Sequence, residues 1–160
     1  MFVRIAVCLV AALVVSCASE AEVIERCDPL GEVQVADLRV WLEDGCYEAW
    51  DAESGVLQAT KSDGHAQIFI NSTLRESLMK SNAIHPVGSA AVRVMYLPDK
   101  ETVWGYAFSM KTETNGAEDW FWFEHFDHHE EPKTAGFGVS GCTGCHSEGA
   151  DFVQSSWPLR

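Results

Sequence analysis

Cations are scarce in this chain. Its 11 lysines and arginines stand against 24 aspartates and glutamates, for a formal net charge of −13. Such a surface repels phosphate backbones and anionic headgroups, which argues against nucleic acid or a bare lipid surface as partner. It would steer in a basic redox partner protein or a cationic small substrate. Long apolar runs are missing too: the stretch from Ile5 to Val15 falls short of the roughly 20 residues a permanent membrane helix needs. There is no internal repeat, and no low-complexity linker beyond a short acidic lead, Ser19 to Glu25.

The N-terminus carries an export signal. Arg4 precedes the apolar run, the arrangement of a signal-peptide core. The run ends in Val14-Val15-Ser16-Cys17, a small residue before a cysteine, which resembles the lipobox of bacterial lipoproteins. That resemblance implies cleavage before Cys17 and diacylation of its thiol. Because Ala18 rather than an aspartate follows, it also implies an outer-membrane anchor on the periplasmic side. An ordinary secretory peptide cut between Ala18 and Ala21 would discard Cys17 and still export the chain. Residues 1–16 are therefore read as signal peptide, 17–32 as acidic lead and 33–160 as one domain. About 140 residues suffice for one core and not for two. Losing Arg4 with the leader takes the net charge from −13 to −14.

Near the C-terminus stands Cys142-Thr143-Gly144-Cys145-His146, the attachment pattern of a c-type haem. Each thiol can add across one porphyrin vinyl group to form a thioether, and His146 is then brought under the iron as axial ligand. Two other readings compete. Zinc would need a second close Cys or His pair, whereas Cys27 and Cys46 are far apart and far upstream. A thioredoxin-type dithiol should follow a strand and open a helix in a βαβ unit, whereas this one lies in the Gly-rich run VSGCTGCHSEG. The histidine next to the second cysteine favours haem. All six cysteines then have a use: Cys8 leaves with the leader, Cys17 carries lipid, and Cys142 and Cys145 carry haem. Cys27 and Cys46 remain, and in an oxidising compartment an isolated pair is most simply a disulfide, contributing about 3 kcal/mol by loop entropy.

Periodicity predicts a mainly β, α+β fold. Leu38, Trp41, Leu42, Tyr47 and Trp50 mark a short amphipathic helix between Val33 and Trp50, broken at Gly45. A compact strand, AQIFIN, follows His65, and Thr73 with Glu76 gives a capping box opening a helix through Lys80. Three strands come next, Ala90 to Leu97, Thr102 to Lys111 and Asp119 to Phe126, the first two joined by a Pro98-Asp99-Lys100-Glu101 turn. The expected centre is an antiparallel meander. Alternation puts Trp104, Tyr106, Phe108 and Met110 on one face of the second strand, with Val103, Gly105, Ala107 and Ser109 on the other. On the third it separates Trp120 and Trp122 from Phe121 and Phe123. Such aromatic density just before CTGCH makes this sheet the expected wall of a porphyrin slot, with Gly105 and Ala107 leaving room for a flat ring.

Four ordered blocks, HPVGSAAVRVMY at 85–96, VWGYAFSMK at 103–111, DWFWFE at 119–124 and GCTGCHSEGADFV at 141–153, resemble the cytochrome P-460 family, in particular its short single-haem members. The resemblance covers the chain from about Tyr47 onward and is more specific than the haem motif alone. It implies a mainly antiparallel β fold, one haem c at the C-terminal CxxCH and commonly a homodimer. The family includes gas-binding members of the cytochrome c′-beta type. In its hydroxylamine-oxidising members a lysine is cross-linked to the porphyrin edge and a carboxylate stands over the distal face; the matching positions here are Arg93 and Ala107. A guanidinium is a poor nucleophile, so the cross-link is not expected. Loss of the base would slow proton-coupled oxidation. Arg93 is expected instead to meet a haem propionate.

These departures favour binding of a small diatomic gas such as nitric oxide, or electron transfer, over oxidation of hydroxylamine or nitric oxide. A distal face lined by Phe108 would leave the sixth position open to a gas, whereas a ligand from among Met79, Met95, Met110, His65 and His85 would make an electron carrier. Two further groups read as solvated loop or turn: His125, Asp127, His128, His129, Glu130 and Glu131, which could otherwise bind a divalent metal, and Lys61-Asp63-Gly64.

Overall fold

A computed structural model describes residue 27 and residues 35–59, 64–113 and 116–160. The leader, Cys17, most of the acidic lead, and Lys61 and Asp63 of the expected turn lie outside the described residues.

Three strands of marked alternation form the middle of the molecule. They are β4 (Ala90–Tyr96), β5 (Val103–Lys111) and β6 (Trp120–Phe126). The expected meander is present and extends on both sides into a mainly antiparallel β fold. β3 (His65–Ile70) pairs with β4; β1 (Asp51–Ala52) and β2 (Leu57–Gln58) pair with β3, and β7 (Thr134–Phe137) pairs with β6. Every pairing among the described strands is antiparallel. The β4–β5 hairpin closes on Asp99, whose carboxylate accepts from the Glu101 and Thr102 amides at 3.0 and 2.9 Å, with Lys100 at φ 63°.

Two cores lie on opposite faces of the sheet. On one face Val92, Val94, Phe108, Met110, Phe121 and Phe123 are buried under Leu38, Trp41 and Leu42 of helix α1 (Val35–Glu43) and Tyr47. Each such large apolar side chain contributes about 1.5–3 kcal/mol on burial. The helix stops at Gly45, φ 72°, where the Cys46 amide donates back to the Trp41 carbonyl, and the chain then turns as Gly45 predicted. The Cys27–Cys46 disulfide, Cα atoms 5.1 Å apart, ties this end down. On the other face Ile70, Leu74, Trp120, Trp122 and Val153 are buried with parts of helix α2 (Ser72–Met79), helix α3 (Ser140–His146) and the C-terminal segment.

The helix after β3 is capped by Asn71 rather than by Thr73. Asn71 Oδ1 accepts from the Leu74 amide at 3.0 Å and from the Ala90 amide at 3.1 Å, so one side chain both starts α2 and fixes the entry to β4. Gly105 also has a different reason from the one expected. A Cβ there would stand 2.6 Å from the His125 carbonyl oxygen, so the residue permits close approach of β6 and opens no space for a ligand.

Candidate functional site

The register of the sheet builds one wall of a cavity. Ile68, Arg93, Ala107 and Glu124 stand side by side across β3, β4, β5 and β6; the next row on the same face is Ile70, Ala91, Ser109 and Trp122. Short side chains in both rows leave a hollow of about 420 Å³ between the sheet and α3. This volume lies within the range of small-molecule and cofactor pockets, about 300–1,000 Å³.

The opposite wall is the CxxCH segment itself. Residues three and four apart on a helix share a face, so Cys142, Cys145 and His146 of α3 all border the hollow. Burial pushes the Cys142 thiol up, reinforced by Glu124. This is the opposite direction from the shift that activates a redox cysteine. Among the described residues no βαβ unit precedes Cys142, and no group of three or more His, Cys, Asp or Glu side chains converges as a metal-ligand set. The all-antiparallel pairing is not the setting a thioredoxin-type dithiol requires. The histidine-rich stretch divides between core and surface. His125 is buried on the aromatic face beneath Phe123, while His128 and His129 are exposed and His128 stacks beside Trp104 and Phe126.

His146 is oriented from two sides. Its ring stands edge-on to Trp122 at 4.6 Å between centroids, and its Nδ1 lies 2.9 Å from the Phe152 carbonyl oxygen. A carbonyl only accepts, so Nδ1 carries the proton and Nε2 is the nitrogen suited to an iron. The carbonyl is presented by a tight turn. Gly149 has no room for a Cβ, which would stand 2.2 Å from the Val153 carbonyl oxygen, and Asp151 and Phe152 both sit in the left-handed region at φ 46° and 67°. Gln154 Nε2 donates to the Cys145 carbonyl at 2.7 Å, binding the returning segment to α3.

Charges border the same hollow. Burial pushes the Arg93 guanidinium down from its ordinary value, with Glu124, Cys145 and Glu53 opposing, yet an arginine remains charged in this situation. Glu124 pairs with Lys133 at 2.9 Å at the rim. Glu53, almost wholly buried, accepts from Arg160 at 2.9 Å and from the Ile68 amide at 3.0 Å. The chemistry of these residues fits a haem: two thiols at the right spacing, an imidazole whose Nδ1 is engaged by a carbonyl, a hollow lined by Ile68, Ala91, Ala107 and Trp122, and cations at its border able to meet propionates.

The structure brings together Cys142, Cys145, His146, Arg93 and Ala107. Phe108 touches the hollow, but its ring lies in the aromatic core against Trp41, 6.3 Å between centroids, because β5 alternation sends it to the other face. None of Met79, Met95, Met110, His65 and His85 lines the cavity. Glu124, Lys133, Glu53 and Arg160 were not expected there. Alternation along β6 carries the signal for Glu124, since it follows Trp120 and Trp122 on one face; nothing local in the sequence points to Arg160. The chain matches no protein-family model and no curated protein.

Proposed function

We propose that this chain is an exported monohaem c-type cytochrome of the cytochrome P-460 type, with thioethers at Cys142 and Cys145 and His146 as axial ligand. The observation that carries this reading is the His146 Nδ1 to Phe152 carbonyl hydrogen bond at the edge of a cavity that both thiols border. When bound there, haem would supply an iron able to bind a small ligand or exchange an electron. The protein's own part is to orient His146, shield one side of the hollow with Ile68 and Trp122, and hold Arg93 toward an anionic edge group.

Binding of a diatomic gas is favoured over simple electron transfer, because His146 is the only His or Met among the described cavity residues. A second reading, oxidation of hydroxylamine or nitric oxide, is supported by Glu124: a carboxylate borders the cavity after all, from β6 instead of β5. Its charge would serve as proton acceptor for a bound substrate. Export, with a lipid anchor on Cys17, agrees with the Cys27–Cys46 disulfide, since such bonds form and persist chiefly in oxidising compartments. A homodimer and a basic redox partner complete the proposal.

The test is an optical spectrum of the reduced protein, made alongside haem-maturation factors, before and after nitric oxide. A c-type Soret band that shifts with nitric oxide supports the gas-binding reading, and an indifferent low-spin band supports an electron carrier. Colourless protein would sink the haem reading. A strongly red-shifted band would mean a cross-linked porphyrin and favour the enzyme.

A further inference from the structure

The turn behind His146 is anchored by a buried ion pair outside the cavity. Lys111, the last residue of β5, extends its Nζ to Asp151 Oδ2 at 2.5 Å, with side chains only 2% and 9% exposed. The same Oδ2 accepts the His85 backbone N–H at 2.8 Å. Asp151 therefore bridges the end of the central hairpin, the loop after α2 and the turn after α3. It is also the first of the two left-handed residues, and the second, Phe152, supplies the carbonyl on His146 Nδ1.

Two consecutive non-glycine residues in that conformation persist only where surrounding contacts hold them. Of the contacts made by Asp151, the buried lysine is the one that carries charge, and it reaches across 40 positions of sequence. From this we infer that Lys111 and Asp151 are positioning residues for the axial imidazole. Their ion pair fixes the turn, the turn fixes the Phe152 carbonyl, and the carbonyl fixes the direction and basicity of His146. Neither residue lines the cavity, so neither touches a group held there, and the pair reaches His146 by way of the Phe152 carbonyl. This rests on the haem reading above. A carbonyl drawing on Nδ1–H makes Nε2 a stronger donor, which favours oxidised over reduced iron. Loosening the pair should weaken that donation and raise the potential.

The experiment compares the haem-loaded wild type with Lys111→Met, Asp151→Asn and Lys111→Arg, and with Leu38→Ala as a control that damages the opposite core. Three quantities are read: the midpoint potential, the iron–histidine stretching frequency of the reduced protein, and exchange of the His146 Nδ1 proton in haem-free protein. Asp151→Asn should raise the potential by about a tenfold change in the oxidised-to-reduced ratio, about 59 mV for one electron, whereas in Lys111→Met the lost cation pulls the potential the other way, so the two variants are compared on stretching frequency and exchange. Both variants should lower the stretching frequency and speed Nδ1 exchange about tenfold. Lys111→Arg, which keeps a cation on Asp151, should recover most of each shift, and Leu38→Ala should lose stability without moving any of them. Variants that lose stability while potential, frequency and exchange stay at wild-type values would overturn the inference. Should Lys111→Met fail to fold, Asp151→Asn and Lys111→Arg carry the same comparison. Absence of covalent haem in the wild type would overturn the haem reading instead, and the exchange measurement would still decide whether the pair orients His146.

Discussion

Ala107 and Glu124 are direct partners on β5 and β6, so the short side chain of one leaves the carboxylate of the other open to the hollow on the same face of the sheet. Across the ladder the two positions are equivalent in reach, because directly opposed Cβ atoms stand about 4.5–5.5 Å apart.

Glu124→Gln tests whether that carboxylate handles protons. The substitution keeps shape and removes charge. Nitric oxide affinity of the reduced protein should change little, whereas any hydroxylamine-dependent reduction should fall about 100-fold, the usual loss when a general base is removed. Steady-state rates with hydroxylamine as sole donor decide it, and an unchanged rate would leave Glu124 as the partner of Lys133 alone.

Arg93→Ala should alter the haem environment without preventing attachment. Removing a half-buried cation from the cavity wall destabilises the reduced, more negative state, so the midpoint potential should drop. Equal potentials and equal spectra in wild type and variant would count against contact between Arg93 and a propionate.

The two thiols should act independently in attachment. Cys142→Ala and Cys145→Ala should each retain haem through the remaining thioether, and the double variant should release it under denaturing conditions. Haem staining of a denaturing gel, with intact mass, reads this out. Retention of covalent haem in the double variant would place the linkage on another side chain.

Opening the Cys27–Cys46 disulfide removes one restraint on the unfolded chain. The bridged residues are 19 positions apart, so Cys46→Ser should lower the unfolding free energy by about 3 kcal/mol. Urea denaturation of wild type and variant in the absence of reductant checks this, and a loss below about 1 kcal/mol would mean the bridge constrains little.

Acid should weaken the fold through two buried histidines. His85 and His125 are each 1% exposed, and burial holds both imidazoles below their ordinary value; for His85, Lys111 adds to this while Asp151 opposes it. The unfolded chain takes up these protons near the ordinary value of about 6.5, and the folded chain only at lower pH. In that window the unfolded state binds more protons. Stability is therefore full above about pH 7 and falls as the pH decreases toward the folded values. His125→Phe should flatten the fall in urea midpoint between about pH 7 and pH 5, and an equally steep fall in the variant would remove His125 from the account.

Much of the sheet was legible because its signals are local. Alternation identified β4, β5 and β6, separated Trp120 and Trp122 from Phe121 and Phe123, and the Pro98-Asp99 turn closed the hairpin on the carboxylate that its composition requires. What escaped depends on contacts between distant positions. Asn71 displaced Thr73 as cap because it also reaches the Ala90 amide. Gly105 is small because of the His125 carbonyl, and Phe108 faces Trp41 in place of the hollow. β7 has too weak an alternation in Thr134–Phe137 to stand out, and pairing with β6 alone defines it. The Arg160 to Glu53 and Lys111 to Asp151 pairs join positions that no spacing rule connects.

The two faces of the sheet pull mutation in opposite directions. The aromatic face is filled by its own side chains, and enlarging any of them would overpack it. The face toward α3 is lined by Ala66, Ala91, Ala107 and Ser109, where a larger apolar residue would pack into the hollow and stabilise the fold. A library selected only for thermal resistance should therefore accumulate Val, Leu or Ile at these four positions and lose whatever the hollow accommodates. Their smallness costs stability, and it marks where the chain has traded stability for capacity.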